Sequence, residues 1–354
     1  MIRGALHGGK SFQAIGVDLG APERERDVVT ADVLDSWFDP SPRVLERLRN
    51  NLPFLLRNSP PLYAEGMVQE IARARGLRER NIVAGAGSSS LILSALPRLL
   101  PLGARVLMVD PMYGEYKHVC SVLLRAKTTV HQLTAEKRFA VEGKALSRDT
   151  DAILLVNPNN PTGRLWPKRE LLAWLDSVPT RTLVWVDEAY IDYAGVGESV
   201  EAEAAQRPNL VVLKSMSKAY ALSGLRVAYL TACQELLLRI MPALPPWPVA
   251  LPAQMAAIEA LRDVEYYSAR WAQTHELRRE VTAALKGVTV YPSSANFYLV
   301  ELEQPAAVAA RLRSANVFVR EFPDSAILES RFLRVAVKDR EQNGRIVEAF
   351  REAL

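Results

Sequence analysis

The chain has 354 residues, enough for two domains built around sizeable cores. Apolar residues make up 49% and charged residues 24%, an ordinary globular balance, and no run of about 18 apolar residues suggests a membrane-spanning helix. A formal charge of +4 from scattered Lys and Arg carries no nucleic-acid signature, and it suits a solvated surface or an anionic small substrate alike.

Taken in chain order, the N-terminus has Arg3 but no apolar stretch behind it, so no signal peptide is expected. The spacing then predicts strands over Asn81–Ala84, Arg105–Asp110, Ala152–Asn157, Thr182–Asp187, Leu210–Lys214 and Arg226–Thr231. Most are short continuous apolar runs, the pattern of strands covered on both faces of a parallel sheet. Ser89–Leu100 and Pro167–Asp176 read as intervening helices. This alternation predicts a doubly wound α/β domain over 43–245. Prolines 242, 245, 246, 248 and 252 mark a boundary. Beyond it the pattern becomes α+β: a long helix Gln254–Leu285 stopped by Gly287, a strand Asn296–Glu301, a helix Pro305–Ser314, strands Val317–Arg320 and Phe332–Val337, and a closing helix Arg340–Leu354. A smaller domain is therefore expected over 246–354 with its linking helix, and 1–42 is assigned to an N-terminal arm and part of that smaller domain.

The two cysteines, Cys120 and Cys233, give neither a disulfide framework nor a metal-binding pair, which suits a reducing cytoplasm. His7, His118, His131 and His275 are scattered without ligand spacing, so no metal is expected.

Four polar clusters follow predicted strands, at the carboxyl edge where open α/β sheets bind ligands. Gly85-Ala86-Gly87-Ser88-Ser89-Ser90 lies between a strand and a helix, so its backbone and the helix N-terminus suit an anion. In Asn157-Pro158-Asn159-Asn160-Pro161-Thr162-Gly163, two X-Pro steps and a glycine fix a rigid turn that holds an amide side chain. Asp187-Glu188-Ala189-Tyr190 ends a buried strand with a carboxylate that needs a partner. Ser215-Met216-Ser217-Lys218, with Gly224-Leu225-Arg226 after it, sets a lysine among phosphate donors. Pyridoxal phosphate (PLP) asks for this set: a lysine for its aldehyde, a carboxylate for its ring nitrogen and donors for its phosphate.

With Asp110-Pro111-Met112-Tyr113, Tyr291-Pro292, Ala295-Asn296-Phe297 and Leu333-Arg334-Val335 added, the chain resembles the fold-type I PLP enzymes of the class I/II aminotransferases. Within them it is most similar to the branch holding histidinol-phosphate aminotransferase and threonine-phosphate decarboxylase. The resemblance covers nearly the whole chain. It implies a PLP-dependent transferase-like α/β fold, a large cofactor domain with a mostly parallel doubly wound sheet beside a smaller α+β domain, and a homodimer. It also implies residue roles. Lys218 holds the cofactor as a Schiff base and moves the Cα proton, Asp187 pairs with the pyridine nitrogen, and Tyr190 and Asn160 bond the ring hydroxyl. Tyr113 stacks on the ring, while Ser88, Ser89, Ser215, Ser217 and Arg226 take the phosphate. Arg334 takes the substrate carboxylate and Arg320 a second anionic group, with His7 and Lys10 beside it.

The departures cluster where the substrate is chosen. The relatives' Arg-Tyr-Pro, whose tyrosine reaches the neighbouring subunit's cofactor, is Asn58-Ser59-Pro60 here, and nearby Tyr63 is the candidate replacement. Their Asn-Pro-x-Gly is Ser36-Trp37-Phe38-Asp39, which is expected to bring Asp35 and Asp39 toward the far end of the substrate. Two acids there would repel a phosphate and welcome a guanidinium. Gly4-Ala5-Leu6-His7-Gly8-Gly9-Lys10-Ser11 fits the P-loop pattern, but too few residues precede it to form the required strand. Its His7-Gly8-Gly9 instead resembles the decarboxylase's HGG segment, which lies over the substrate. Gly85-x-Gly87 lacks the third glycine of a dinucleotide fingerprint. The expectation is thus a PLP-dependent aminotransferase acting on a small amino acid or amine, phosphorylated or not. The alternatives are an α-decarboxylase, an elimination or cyclisation enzyme acting on a basic amino acid, and, from another class, a non-catalytic binding protein of the same fold. Small molecules and a second copy of the chain are the expected partners, with neither nucleic acid nor membrane among them.

Overall fold

A computed structural model describes residues 8–17, 22–146, 149–323, 325, 328 and 330–354. The first strand, β1 (Val29–Ala31), belongs to the smaller assembly discussed below. The large sheet has seven strands: β2 (Ile82–Gly85), β3 (Arg105–Asp110), β4 (Lys127–Gln132), β5 (Ala152–Val156), β6 (Leu183–Asp187), β7 (Leu210–Ser215) and β8 (Ala228–Thr231). Their spatial order is β2-β8-β7-β6-β5-β3-β4. β8 runs antiparallel to both neighbours, and β7, β6, β5, β3 and β4 pair in parallel. The continuous apolar runs have the expected cause. In β6, Trp185 packs into one buried cluster with Leu91 and Tyr116, while Val184 and Val186 pack into another with Leu171 and Trp166. Side chains alternate faces along a strand, so both faces of β6 are covered.

Two expectations change. β4 has no counterpart in the sequence reading, because it is an edge strand whose first four residues are exposed, and Lys127-Thr128-Thr129 offers no apolar run. The single helix Gln254–Leu285 is two helices, Leu251–Arg262 and Val264–Ala284, broken at Asp263 with φ −100° and ψ 56°. Aspartate competes poorly for helix interiors and favours their ends. Pro252 in the first turn of the earlier helix supplies a fixed φ where no amide partner is needed. That helix packs against helices Pro42–Arg57 and Glu65–Arg75.

The remaining strands are β9 (Thr289–Val290), β10 (Phe297–Glu301), β11 (Val317–Val319) and β12 (Phe332–Ala336). β10 lies antiparallel between β12 and β9, and β1 pairs in parallel with β11. An antiparallel bridge between Arg320 and Arg334 ties β11 to β12. The helices flanking these strands are Pro305–Ser314 and Arg340–Ala353.

Behind the carboxyl edge of β6 and β7 lies a buried ionic cluster. Lys214 Nζ stands 3.4 Å from Glu188, 3.8 Å from Glu201 and 4.0 Å from Asp192. Arg75 reaches Asp192 at 2.8 Å and Glu201 at 3.6 Å. Glu188 also accepts the Val200 amide at 2.8 Å. Burial pushes its carboxyl up to about 7, against the opposing pull of Lys214.

Candidate active site

The ends of β3, β5, β6 and β7 and the N-terminus of helix Ser88–Leu99 converge on a cavity of about 250 Å³. Asp187 is the last residue of β6 and is 3% exposed. Its Oδ2 accepts from Tyr116 Oη at 2.8 Å, and its Oδ1 accepts from the Ala189 amide at 3.0 Å. Burial pushes its carboxyl up to about 6, and the two hydrogen bonds only partly offset that rise. Both donors are neutral. A buried carboxylate held only by neutral donors suits a cation in the cavity, which a protonated pyridine nitrogen would supply. Tyr116 left no signal in the sequence. Its hydroxyl accepts from Trp185 Nε1 at 2.8 Å, which fixes it toward Asp187.

The anion end fits a phosphate for a separate reason. Gly87 has φ +86° at the start of a twelve-residue helix, and a Cβ there would stand 2.7 Å from Arg226 Nη2. Bare backbone amides and a guanidinium therefore share one concavity. Ser88, Ser89, Ser215 and Ser217 line the same cavity. Arg226 Nη1 donates to the Ser223 carbonyl at 3.1 Å and to Ser217 Oγ at 3.4 Å, so its head is fixed before any ligand arrives.

Between these ends lie Lys218, Tyr190, Asn160 and Tyr113. Asn160 Nδ2 donates to Tyr190 Oη at 3.4 Å. Burial pushes the Tyr190 phenol far above its ordinary value, so it is a neutral donor. The Tyr113 hydroxyl lies 3.3 Å from Ser89 Oγ. Lys218 Nζ bonds Asp35 Oδ1 at 2.9 Å.

Arg334 and Arg320 line the remaining wall. Arg334 donates through Nη1 to Asn160 Oδ1 at 2.6 Å and through Nη2 to the Asp32 carbonyl at 3.1 Å. Its Nε is buried without a hydrogen-bond partner among the described residues. Burial lowers the guanidinium to about 10, still charged at neutral pH. The Arg320 guanidinium stacks over Phe322, 5.7 Å from the ring centroid.

Five expectations differ from this arrangement or fall outside it. Asp35 stands at Lys218, not beside Arg320, because Asn296 Nδ2 donates to the Leu34 carbonyl and sets the segment against β10. Asp39 is exposed, and its carbonyl accepts from Tyr266 Oη. Lys10 does not line the cavity; Glu321 captures its ammonium at 2.5 Å. Tyr63 is exposed outside the cavity of its own chain, on a separate hollow with Met241, Leu244 and Pro248. His7 lies outside the described residues. Its neighbour Gly8 lines the cavity, and Asp32 holds the following turn, accepting from the Gly9 amide at 2.7 Å and from Ser11 Oγ at 2.8 Å.

Known proteins resemble this chain in sequence and fold. The family model for aminotransferase class I and II matches residues 38–350. Histidinol-phosphate aminotransferase 2 of Gluconobacter oxydans is 30% identical, over 95% of this chain and 94% of that protein. The enzyme of the same name from Carboxydothermus hydrogenoformans is also 30% identical, over 100% and 99%. Among solved structures, histidinol-phosphate aminotransferase from Sinorhizobium meliloti in complex with pyridoxal-5'-phosphate has a TM-score of 0.82 at 22% identity, covering 97% of this chain and 96% of that one. L-threonine-O-3-phosphate decarboxylase from Porphyromonas gingivalis has a TM-score of 0.75 at 26% identity, covering 90% and 97%. With a family match across most of its length and a cavity that suits both ends of the cofactor, the chain belongs to the class I and II aminotransferases and is a PLP-dependent enzyme.

Proposed function

We infer that the enzyme transfers the amino group of a small amino acid or amine whose far end carries a phosphate or another anion, as the names of its histidinol-phosphate aminotransferase relatives suggest. The observation that carries this reading is the pair of guanidinium groups, Arg334 and Arg320, on one wall of the cavity that holds Lys218. One suits a carboxylate and the other a second anion, and a planar fork recognises both better than an ammonium does. The acids expected to favour a guanidinium-bearing substrate stand elsewhere. Asp35 faces Lys218 and Asp39 is exposed, while the nearby Asp32 carboxylate is taken up by Gly9 and Ser11.

PLP, when bound, supplies an electron sink that stabilises negative charge at the substrate's Cα. Lys218 is assigned as its covalent anchor and as the group that moves the Cα proton, and Asp187 as the charge facing the ring nitrogen. Tyr190 and Asn160 would hold the ring hydroxyl, with Tyr113 against the ring face. Ser88, Ser89, Ser215, Ser217 and Arg226 would hold the phosphate. Buried and neutral, Tyr190 donates a hydrogen bond without adding charge.

A second reading, α-decarboxylation, is favoured by Gly8. Gly8, from the segment that resembles the decarboxylase's, borders the cavity, and Asp32 accepts from the Gly9 amide next to it. A product assay separates the two reactions: transamination needs a keto-acid acceptor and releases no carbon dioxide. For the substrate, histidinol phosphate, phosphothreonine and arginine are titrated into the enzyme and the cofactor's visible band is followed. The phosphorylated compounds are expected to perturb the band; a response to arginine alone would overturn the anionic reading. Arg334→Lys is expected to raise KM at least about tenfold while leaving the band intact, since a point charge replaces the fork.

The same reading includes a cytoplasmic homodimer and the division into an arm over 1–42, a cofactor domain over 43–245 and a small domain over 246–354. Support for the dimer comes from exposed apolar side chains, Leu52, Phe54 and Leu56 on one helix with Leu62, Tyr63 and Trp247 near its end. The Trp247 amide bonds the Leu62 carbonyl at 2.8 Å, which joins two of them. No helix among the described residues is long and apolar enough to cross a membrane.

A further inference from the structure

The dipeptide Asp35-Ser36 grips Lys218 at both ends. Ser36 Oγ donates to the Lys218 carbonyl, which also accepts from Tyr193 Oη at 2.8 Å. Asp35 Oδ1 takes the Lys218 ammonium at 2.9 Å. The dipeptide is itself anchored: Leu34 is buried, and its carbonyl accepts from Asn296 Nδ2 at 3.0 Å. Backbone and side chain of the lysine are thus both referred to a single point of the chain, more than 180 residues away in sequence.

We propose that Asp35 is a positioning residue, the counter-ion that receives Lys218 whenever the lysine is not bonded to the cofactor. The proposal rests on the assignment of Lys218 as the cofactor lysine. The physical need is plain. A released lysine side chain has four rotatable bonds and a hydrated charge, and it would otherwise wander or carry a further cation toward Arg226 and Arg334. An ion pair at hydrogen-bond distance fixes the ammonium and offsets its charge. Burial alone would raise the Asp35 carboxyl, but the Lys218 ammonium and a hydrogen bond from Ser223 more than reverse this and hold it below its ordinary range, with Lys338 adding to the pull. Asp35 is therefore an anion ready for the lysine at neutral pH.

The ion pair has a kinetic consequence. An amine must lose its proton and leave the carboxylate before it attacks an aldehyde, so the pair competes with cofactor capture. The proton goes from the ammonium to solvent, the amine nitrogen bonds the aldehyde carbon, and water leaves. Neutralising Asp35 should speed that capture, whereas a merely structural lesion would slow it.

The test uses the full chain stripped of cofactor, with added PLP followed by visible absorption. Asp35→Asn and Asp35→Ala are expected to take up the cofactor about three- to tenfold faster than the native chain and to reach the same final band. Asp35→Glu, which keeps the charge, is expected to return the rate toward the native value. In the loaded enzyme, Asp35→Asn should slow exchange of the substrate's Cα proton with solvent about tenfold or more, because the lysine loses its resting place. Uptake that is unchanged or slower in both neutral variants, with the final band intact, overturns the proposal. Lys218→Ala separates it from its premise: a visible band in that variant refutes the lysine assignment itself, whatever Asp35 does.

Discussion

Asp187 shows how much one side chain at a strand end can decide. Its carboxyl is raised to about 6 because it is buried against two neutral donors. In the chain stripped of cofactor, the folded state therefore binds its proton more tightly than the unfolded chain does. Stability contributed by that proton is present at about pH 4 and is lost as pH rises through about 6. Asp187→Asn removes the titration. Thermal melts of cofactor-free native and variant protein should converge near pH 4 and separate toward pH 8, the variant then being the more stable by roughly 3 kcal/mol at most. With cofactor the order of merit reverses, and turnover should fall by about 10²–10³-fold or more, the size expected for losing a pre-aimed charge. A variant that melts like native protein at every pH would refute the burial argument. The identity of Asp187 was legible in the sequence because a carboxylate after a buried apolar run stands out. Tyr116 was not, since a tyrosine inside an apolar stretch looks like any core aromatic until its hydroxyl is seen on Asp187.

At the scale of elements, the anion end depends on one backbone conformation. Gly87 combines φ +86° with an approach to Arg226 that leaves no room for a methyl group. Gly87→Ala should strain the turn and displace the guanidinium, weakening PLP retention at least about tenfold, as measured by loss of the visible band on dialysis, while the far-ultraviolet dichroism stays native. Unchanged retention would mean that the helix N-terminus alone suffices. The Gly-Ala-Gly-Ser run announced this element, and the other strand-end clusters did the same for theirs, because ligand loops in parallel sheets carry polar and small residues where the strands are apolar. What was hidden follows the same logic. β4 escaped notice because an exposed edge needs no apolar pattern, and the break at Asp263 did because one polar residue on a long helical pattern resembles any solvent-facing position. The placement of Asp35 was out of reach for a different reason: a contact across 183 positions leaves no local trace.

For the whole molecule, the open question is what covers Leu52, Phe54, Leu56 and Trp247, and a second copy of the chain is the proposed answer. Sedimentation at micromolar concentration should give a dimer. Tyr63→Phe should leave that dimer intact yet weaken PLP retention by several-fold, the loss of one hydrogen bond to a charged group. A fully active monomer would contradict both. The motifs spread along the chain made the mostly parallel α/β architecture readable from sequence alone, but which surfaces meet a partner is written only in side chains that the fold leaves bare.

The buried cluster of Arg75, Glu188, Asp192, Glu201 and Lys214 has a consequence for how such a sequence can drift over generations. Removing Arg75 or Lys214 leaves three acids against a single base in the interior, at a cost of about 3–5 kcal/mol, a large share of an ordinary domain's margin. Replacing all five by apolar groups of matching volume can be nearly neutral. The intermediate genotypes are thus the unfit ones. The five positions, from 75 to 214, are therefore expected to change together or not at all.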